Sequence, residues 1–188
     1  MDKLNIIVPC YNEGEAVKLF YDEAITHIKK LPVNYEIIFV NDGSKDNTLE
    51  ECLKLKESDP NIVIVDFSRN FGKECAMMAG LHQAKGDYVT IEDADLQDPP
   101  YLLPEMFEAL QTGEYDSVQT YRMTRKGEPP IRSWFANLFY DLFKYVDGFK
   151  IENGSRDFRL MKRCVVDELL KITDQNRFIK GYYEWVGF

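Results

Sequence analysis

The sequence predicts an α/β protein, a three-layer sandwich in which a mostly parallel central sheet is covered by helices on both faces. Three observations predict it. Short apolar runs alternate with amphipathic stretches from residue 4 to residue 121, each run is the length of a buried strand, and acidic residues gather just after several of them. Alternation of this kind produces parallel strands joined by crossover helices.

The first run, residues 4–9 (LNIIVP), has the near-continuous apolar character of a strand buried on both sides. A helix follows over 15–31, where Val17, Phe20, Tyr21, Ala24, Ile25, Ile28 and Leu31 recur at spacings of three and four. Further strands are expected at 35–41, 61–67, 87–92 and 115–121, with helices between them. One of those helices spans 73–85, and the next opens at Pro99 and Pro100, residues suited to a first helical turn. Past residue 122 the rhythm gives way to a basic, proline-bearing loop and an aromatic helix over 132–147. A strand at 156–161 and a helix near 162–172 complete the series. With no repeat or low-complexity linker, residues 1–188 read as a single domain, and the uncapped, apolar end at Trp185 to Phe188 reads as a cut.

Composition narrows the function. Of 188 residues 45% are hydrophobic and 29% charged, which is enough apolar material for an independent core. The net charge of −9 argues against nucleic acid as a partner, since phosphate backbones are gripped by clustered Lys and Arg. Its distribution is uneven: residues 1–121 hold 23 acids and 10 bases, whereas residues 122–163 hold 10 bases and 5 acids. The two regions are therefore expected to meet different ligands. Four scattered cysteines show no zinc-type spacing and suit a reducing compartment, and no stretch has the length of a membrane span. Phosphate-cradling glycine loops and a serine elbow are absent, which disfavours ATPases, dinucleotide oxidoreductases and serine hydrolases.

In open parallel sheets ligands bind beyond the carboxyl ends of the strands. Here that edge collects Tyr11, Asn12 and Glu13, then Asn41 to Ser44, then Glu92, Asp93, Asp95 and Gln97. Converging carboxylates repel one another unless a cation neutralises them, and Mg2+ or Mn2+ suits a site of few protein oxygens completed by phosphates. Two readings stay open at each motif. Asp93, Asp95 and Asp98 either ligate metal or cap the helix that follows, with Asp98 the expected cap. Asp42-Gly43-Ser44 is also a turn-forming sequence whatever its function.

Taken in order, VPCYNE (8–13), VNDGSKDNT (40–48), SRNFGKE (68–74), GDYVTIEDADLQDPP (86–100) and SRDFRLMKR (155–163) resemble the inverting glycosyltransferases of the GT-A, Rossmann-like fold. The similarity is greatest to polyprenyl-phosphate sugar transferases of the bactoprenol glucosyltransferase and dolichol-phosphate mannose synthase kind, and it runs through the whole chain. The resemblance implies that Pro9, Tyr11, Glu13, Val40 and Asp42 hold the nucleobase and ribose of a nucleotide diphosphate sugar. Asp93 and Ala94 would line the donor, and Asp95 and Gln97 would ligate Mg2+ or Mn2+. Arg177 and Lys180 resemble a late segment that closes over the donor diphosphate. Arg122, Arg125, Lys126, Arg132 and Ser133 would clamp the phosphate of a lipid acceptor, or form a solvated loop.

Asp157 stands where relatives place a catalytic carboxylate. A phosphate monoester, with a second pKa of about 6, is already an anionic nucleophile near neutrality. Asp157 is thus read as base, as acceptor-orienting residue, or as a partner of Arg156 or Arg159. The aromatic helix over 132–147 is read as core, as a homo-oligomer contact, or as a surface lying on the membrane. The resemblance further implies UDP-glucose or UDP-N-acetylglucosamine as donor and undecaprenyl phosphate as acceptor. It also implies action at the cytoplasmic face of the membrane, with transmembrane helices following the catalytic domain. Two alternatives are a polysaccharide or teichoic acid acceptor and, from another class, a receiver-like phosphorylation switch.

Overall fold

The structure, a computed structural model, describes residues 1–121, 155–172 and 179–188. Its strands are β1 (Lys3–Cys10), β2 (Asn34–Asn41), β3 (Ile62–Asp66), β4 (Tyr88–Ile91), β5 (Ser117–Tyr121) and β6 (Ser155–Lys162). Its helices are α1 (Gly14–Ile28), α2 (Thr48–Ser58), α3 (Lys73–Gln83), α4 (Leu103–Gln111), α5 (Arg163–Leu169) and α6 (Ile179–Trp185). The six strands form one sheet in the order β3-β2-β1-β4-β6-β5.

Strands β1 to β4 pair in parallel, as the alternation of strand and helix requires. β6 departs from that rule and inserts antiparallel between β4 and β5. Its register pairs Ile91 with Arg159, so the start of β6 runs beside the chain that leaves β4.

Successive residues of a strand face opposite sides, and the core divides accordingly. Leu4, Ile6, Val8, Phe39 and Phe158 pack with Phe20, Phe107 and Leu110 on one face. Ile7, Ile38, Val40, Val89 and Met161 pack with Met77, Leu81 and Val166 on the other. Phe20 meets Phe39 edge to face at 6.4 Å between ring centres. Burying each such ring stabilises the fold by roughly 1.5–3 kcal/mol. Helix α3 lies so close to β1 that a Cβ on Gly80 would come within 2.2 Å of Ile7 Cγ2. Asn5, fully buried, ties the far edge together by donating to Glu36 and accepting from the Lys85 N–H.

Several expectations shift at their ends. The helix predicted over 15–31 stops at Ile28, and Leu31 still packs into the core beyond it. The helix expected at Pro99 begins instead as a 3-10 turn, Pro100–Leu102, before α4 proper. Proline donates no backbone hydrogen bond and restrains the residue before it, so the chain enters the helix gradually. Asp98, expected as the cap, precedes the N-cap position, which Pro99 occupies. The helix expected over 132–147 lies outside the described residues. No described helix is long and apolar enough to cross a membrane.

Candidate active site

At the carboxyl edge of β1, β2 and β4 lies a pocket of about 260 Å³. Its wall takes Pro9 from the end of β1, Tyr11 and Glu13 from the loop that follows, Asp42 from the loop after β2, and Asp93, Ala94 and Asp95 from the fourth loop, after β4. All seven are positions that the sequence nominates. Parallel strands in register deliver these loop starts to one rim, which is why residues more than eighty apart in sequence share a wall.

Cross-loop hydrogen bonds hold the rim. The Asn12 N–H donates to Ser44 Oγ at 3.0 Å, and the Lys45 N–H donates to Asn12 Oδ1 at 2.9 Å. The Glu13 N–H donates to Thr48 Oγ1 at 2.8 Å. Asp42 is 3% exposed, and its carboxylate accepts the N–H of Phe71 at 2.7 Å and that of Gly72 at 2.9 Å. Gly43, at φ +64°, lets the second loop pass against the backbone of Arg69 and Asn70. A Cβ there would stand 2.3 Å from the Arg69 carbonyl carbon.

The fourth loop turns sharply. Asp95 Oδ1 accepts the Gln97 N–H at 3.0 Å, and between them Leu96 holds φ +56°. A left-handed conformation costs a residue with a Cβ about 1–2 kcal/mol. Such strain is characteristic of ligand-binding loops, where the surroundings fix the shape in advance.

The electrostatics are those of crowded carboxylates. Burial, then the charges of Asp95, Asp93 and Asp46, push the Glu13 carboxyl above its ordinary range. A cation entering the pocket would relieve that repulsion. Among the described residues no three His, Cys, Asp or Glu side chains form a metal cage. This donor set fits a hard divalent ion that takes one or two protein oxygens and completes its shell with water and phosphate. It does not fit zinc, which demands three or four protein ligands. Cys10 also lines the pocket, but its hydrogen bond with Cys52 and then its burial hold the thiol well above its ordinary range. It offers no thiolate for nucleophilic attack.

Other nominated residues are placed differently. Val40 is fully buried among Ile7, Ile38 and Ala76 and does not line the pocket. Gln97 is exposed and contributes to the turn through its backbone. Asp157 belongs to β6 and Lys180 to α6. Arg122, Arg125, Lys126, Arg132, Ser133 and Arg177 lie outside the described residues.

Sequence reasoning assigns no role to Asn70, Gly72 or Lys73, which with Cys10 and Ala76 form the remaining wall. Lys73 reaches the Asp93 carboxylate at 2.7 Å. The signal was available, because SRNFGKE follows β3 at the same carboxyl edge as the other loops.

Comparison with known proteins agrees with this architecture. The model of glycosyl transferase family 2 matches residues 5–170. The bactoprenol glucosyl transferase of Shigella phage SfV is 41% identical over 185 residues, 98% of this chain and 60% of that protein. A prophage bactoprenol glucosyl transferase homolog of Escherichia coli K12 is 40% identical over the same length. The chain thus spans less than two thirds of the curated relatives it matches. Among solved structures, a mannosyltransferase from Pyrobaculum calidifontis in complex with GDP-Man and Mn2+ superposes with a TM-score of 0.62 at 22% identity, over 89% of this chain and 46% of that one. Glucosyl-3-phosphoglycerate synthase from Mycobacterium tuberculosis, in complex with Mn2+, UDP-glucose and phosphoglyceric acid, also reaches 0.62, at 18% identity over 89% of this chain and 59% of that one. With the family model covering most of the chain and a sheet whose carboxyl edge opens into an acidic pocket, this protein belongs to glycosyl transferase family 2 and has the GT-A fold.

Proposed function

We propose that residues 1–188 form one catalytic domain that transfers a hexose or N-acetylhexosamine from a UDP-sugar to a polyprenyl phosphate, undecaprenyl phosphate above all, with inversion at the anomeric carbon. The observation that carries the proposal is the pocket in which Glu13, Asp42, Asp93 and Asp95 meet from three loops. Four carboxylates around one cavity are suited to a cation bridged to a diphosphate. The relatives named bactoprenol glucosyl transferase support the lipid acceptor.

Mg2+ or Mn2+ would be held by Asp95 and Gln97, and when bound it supplies charge neutralisation for the departing nucleotide. The chain's own residues do the rest. Tyr11, Glu13 and Asp42 fix the nucleoside, while Asp93 and Ala94 wall the sugar. The cross-loop hydrogen bonds hold these groups in place before the donor arrives, so little reorganisation is needed during transfer. Arg177 and Lys180 would close over the diphosphate, and Arg122, Arg125, Arg132 and Ser133 would clamp the acceptor phosphate. Asp157, on β6, would orient that phosphate or take a residual proton. The work takes place at the cytoplasmic face of the membrane, where a polyprenyl phosphate head would meet a soluble donor. The family match leaves the receiver-like switch without support.

The test incubates the full-length protein with Mn2+, undecaprenyl phosphate and a panel of UDP- and GDP-sugars, and follows nucleotide release and lipid-linked sugar. One donor is expected to give both products, and Arg122→Ala is expected to raise the KM for the lipid about 10-fold, the loss of one charge-assisted contact. Equal turnover without any lipid phosphate would favour a polysaccharide or teichoic acid acceptor. No turnover with any donor would remove the proposal.

A further inference from the structure

Four carboxylates and one ammonium line the donor pocket among the described residues. Asp42 spends its charge on the Phe71 and Gly72 amides, which leaves Glu13, Asp93 and Asp95 to face the cavity. Lys73, the first residue of α3, holds its Nζ 2.7 Å from the Asp93 carboxylate. Its side chain remains 43% exposed, so the ammonium is accessible to whatever enters. Its position is fixed from behind, because Asp42 anchors the two amides that immediately precede it.

A nucleoside diphosphate is an anion, and a wall of three carboxylates repels it. A divalent ion lowers that barrier but leaves a carboxylate excess, and Lys73 is the group placed to offset it. We infer that Lys73 is a donor-binding residue: its ammonium, poised on Asp93, takes the diphosphate of the incoming nucleotide beside the metal. This inference rests on the proposed donor pocket and adds a residue and a property to it. In the absence of nucleotide, Lys73 and a divalent ion compete for the same acidic wall. Once nucleotide is present, both bind it. The pocket therefore favours a metal–nucleotide complex over the metal alone.

The consequence has opposite signs for the two ligands, which a merely structural ion pair does not produce. Removing the ammonium leaves a more negative pocket that attracts Mn2+ more strongly and diphosphate less. The experiment compares the full-length protein with Lys73→Met and Lys73→Arg. Mn2+ binding is measured by electron paramagnetic resonance, and UDP and GDP binding with Mn2+ by calorimetry. Lys73→Met is expected to bind Mn2+ alone roughly 3-fold more tightly, the scale of a partly exposed ion pair. Its affinity for the preferred nucleotide with Mn2+ is expected to fall about 10-fold, the scale of a charge-assisted hydrogen bond. Lys73→Arg restores most of the nucleotide affinity. Thermal unfolding of the three proteins confirms that each is folded.

Unchanged nucleotide affinity in Lys73→Met overturns the inference, and so does a parallel loss of both ligands. Those results leave the pocket standing as long as the unsubstituted protein binds nucleotide with Mn2+. If that protein binds neither UDP nor GDP, the donor pocket itself is wrong and the inference goes with it.

Discussion

Asp42 and Gly72, thirty residues apart, are joined by a hydrogen bond from the Gly72 N–H to Asp42 Oδ2 at 2.9 Å. With the companion bond from Phe71, it makes the loops after β2 and β3 one rigid unit. The side chain nominated for nucleotide contact thus also builds the wall that carries Asn70, Gly72 and Lys73.

Asp42→Ala strands two backbone donors and frees that wall. The expected loss of stability is about 1–2 kcal/mol, the scale of hydrogen bonds to a charged acceptor whose donors, on exposed Phe71 and half-buried Gly72, water can partly satisfy. Nucleotide affinity should fall more than that of Asp42→Asn, which keeps one acceptor oxygen. Denaturant unfolding and nucleotide titration of both variants check the ordering, and equal behaviour of Ala and Asn would refute it.

Gly43→Ala meets two obstacles at once, a φ of +64° and a new Cβ placed 2.3 Å from backbone carbon. Strain of this kind costs on the order of 1–3 kcal/mol before any clash is counted. The variant is expected to melt several degrees lower and to bind nucleotide more weakly. A melting temperature equal to that of the parent would show that the loop moves aside freely.

Glu92 is 1% exposed, and among the described residues neither carboxyl oxygen has a hydrogen-bond partner. Burial, then the charge of Asp98, raises its carboxyl well above the ordinary range. The folded state therefore holds this proton after the unfolded chain has released it. Stability from this group is complete below the unfolded value near 4.5 and is lost as pH rises toward the folded value. Glu92→Gln should flatten that decline, so its advantage over the parent grows from pH 5 to pH 8. Chemical unfolding at several pH values measures it, and parallel curves would remove the assignment.

Asp95 lines the pocket and is the carboxylate proposed to hold the metal. Asp95→Ala is expected to lower turnover by at least roughly 100-fold, the scale for removing a group that stabilises developing charge. Unfolding stability should be nearly unchanged, because the residue is exposed. Chelation by EDTA should abolish turnover of the parent, and added Mn2+ or Mg2+ should restore it. Undiminished turnover by the variant would move the metal elsewhere.

Much of this was legible in the chain. The apolar runs that became β1 and β2 are committed by composition, since a strand buried on both faces admits little else. The placement of acids directly after those runs was enough to forecast a crowded rim, and seven nominated residues line it. Less legible were Lys73 and the antiparallel insertion of β6. The importance of Lys73 arises from its 2.7 Å approach to Asp93, twenty residues on. The resemblance groups Val40 with the nucleoside contacts, yet the alternation of β2 turns its side chain into the core with Ile7 and Ile38.

The sequence by itself determined the layers, the succession of the first strands along the chain and the family, because periodicity and motif order are local properties written in consecutive residues. Tertiary structure alone decided which charges touch. That Asp42 grips the Gly72 amide while lining the cavity, and that Lys73 finds Asp93, depends on ångströms set by packing two helical layers against one sheet. Electrostatic energy varies with such distances, and no spacing along the chain encodes them.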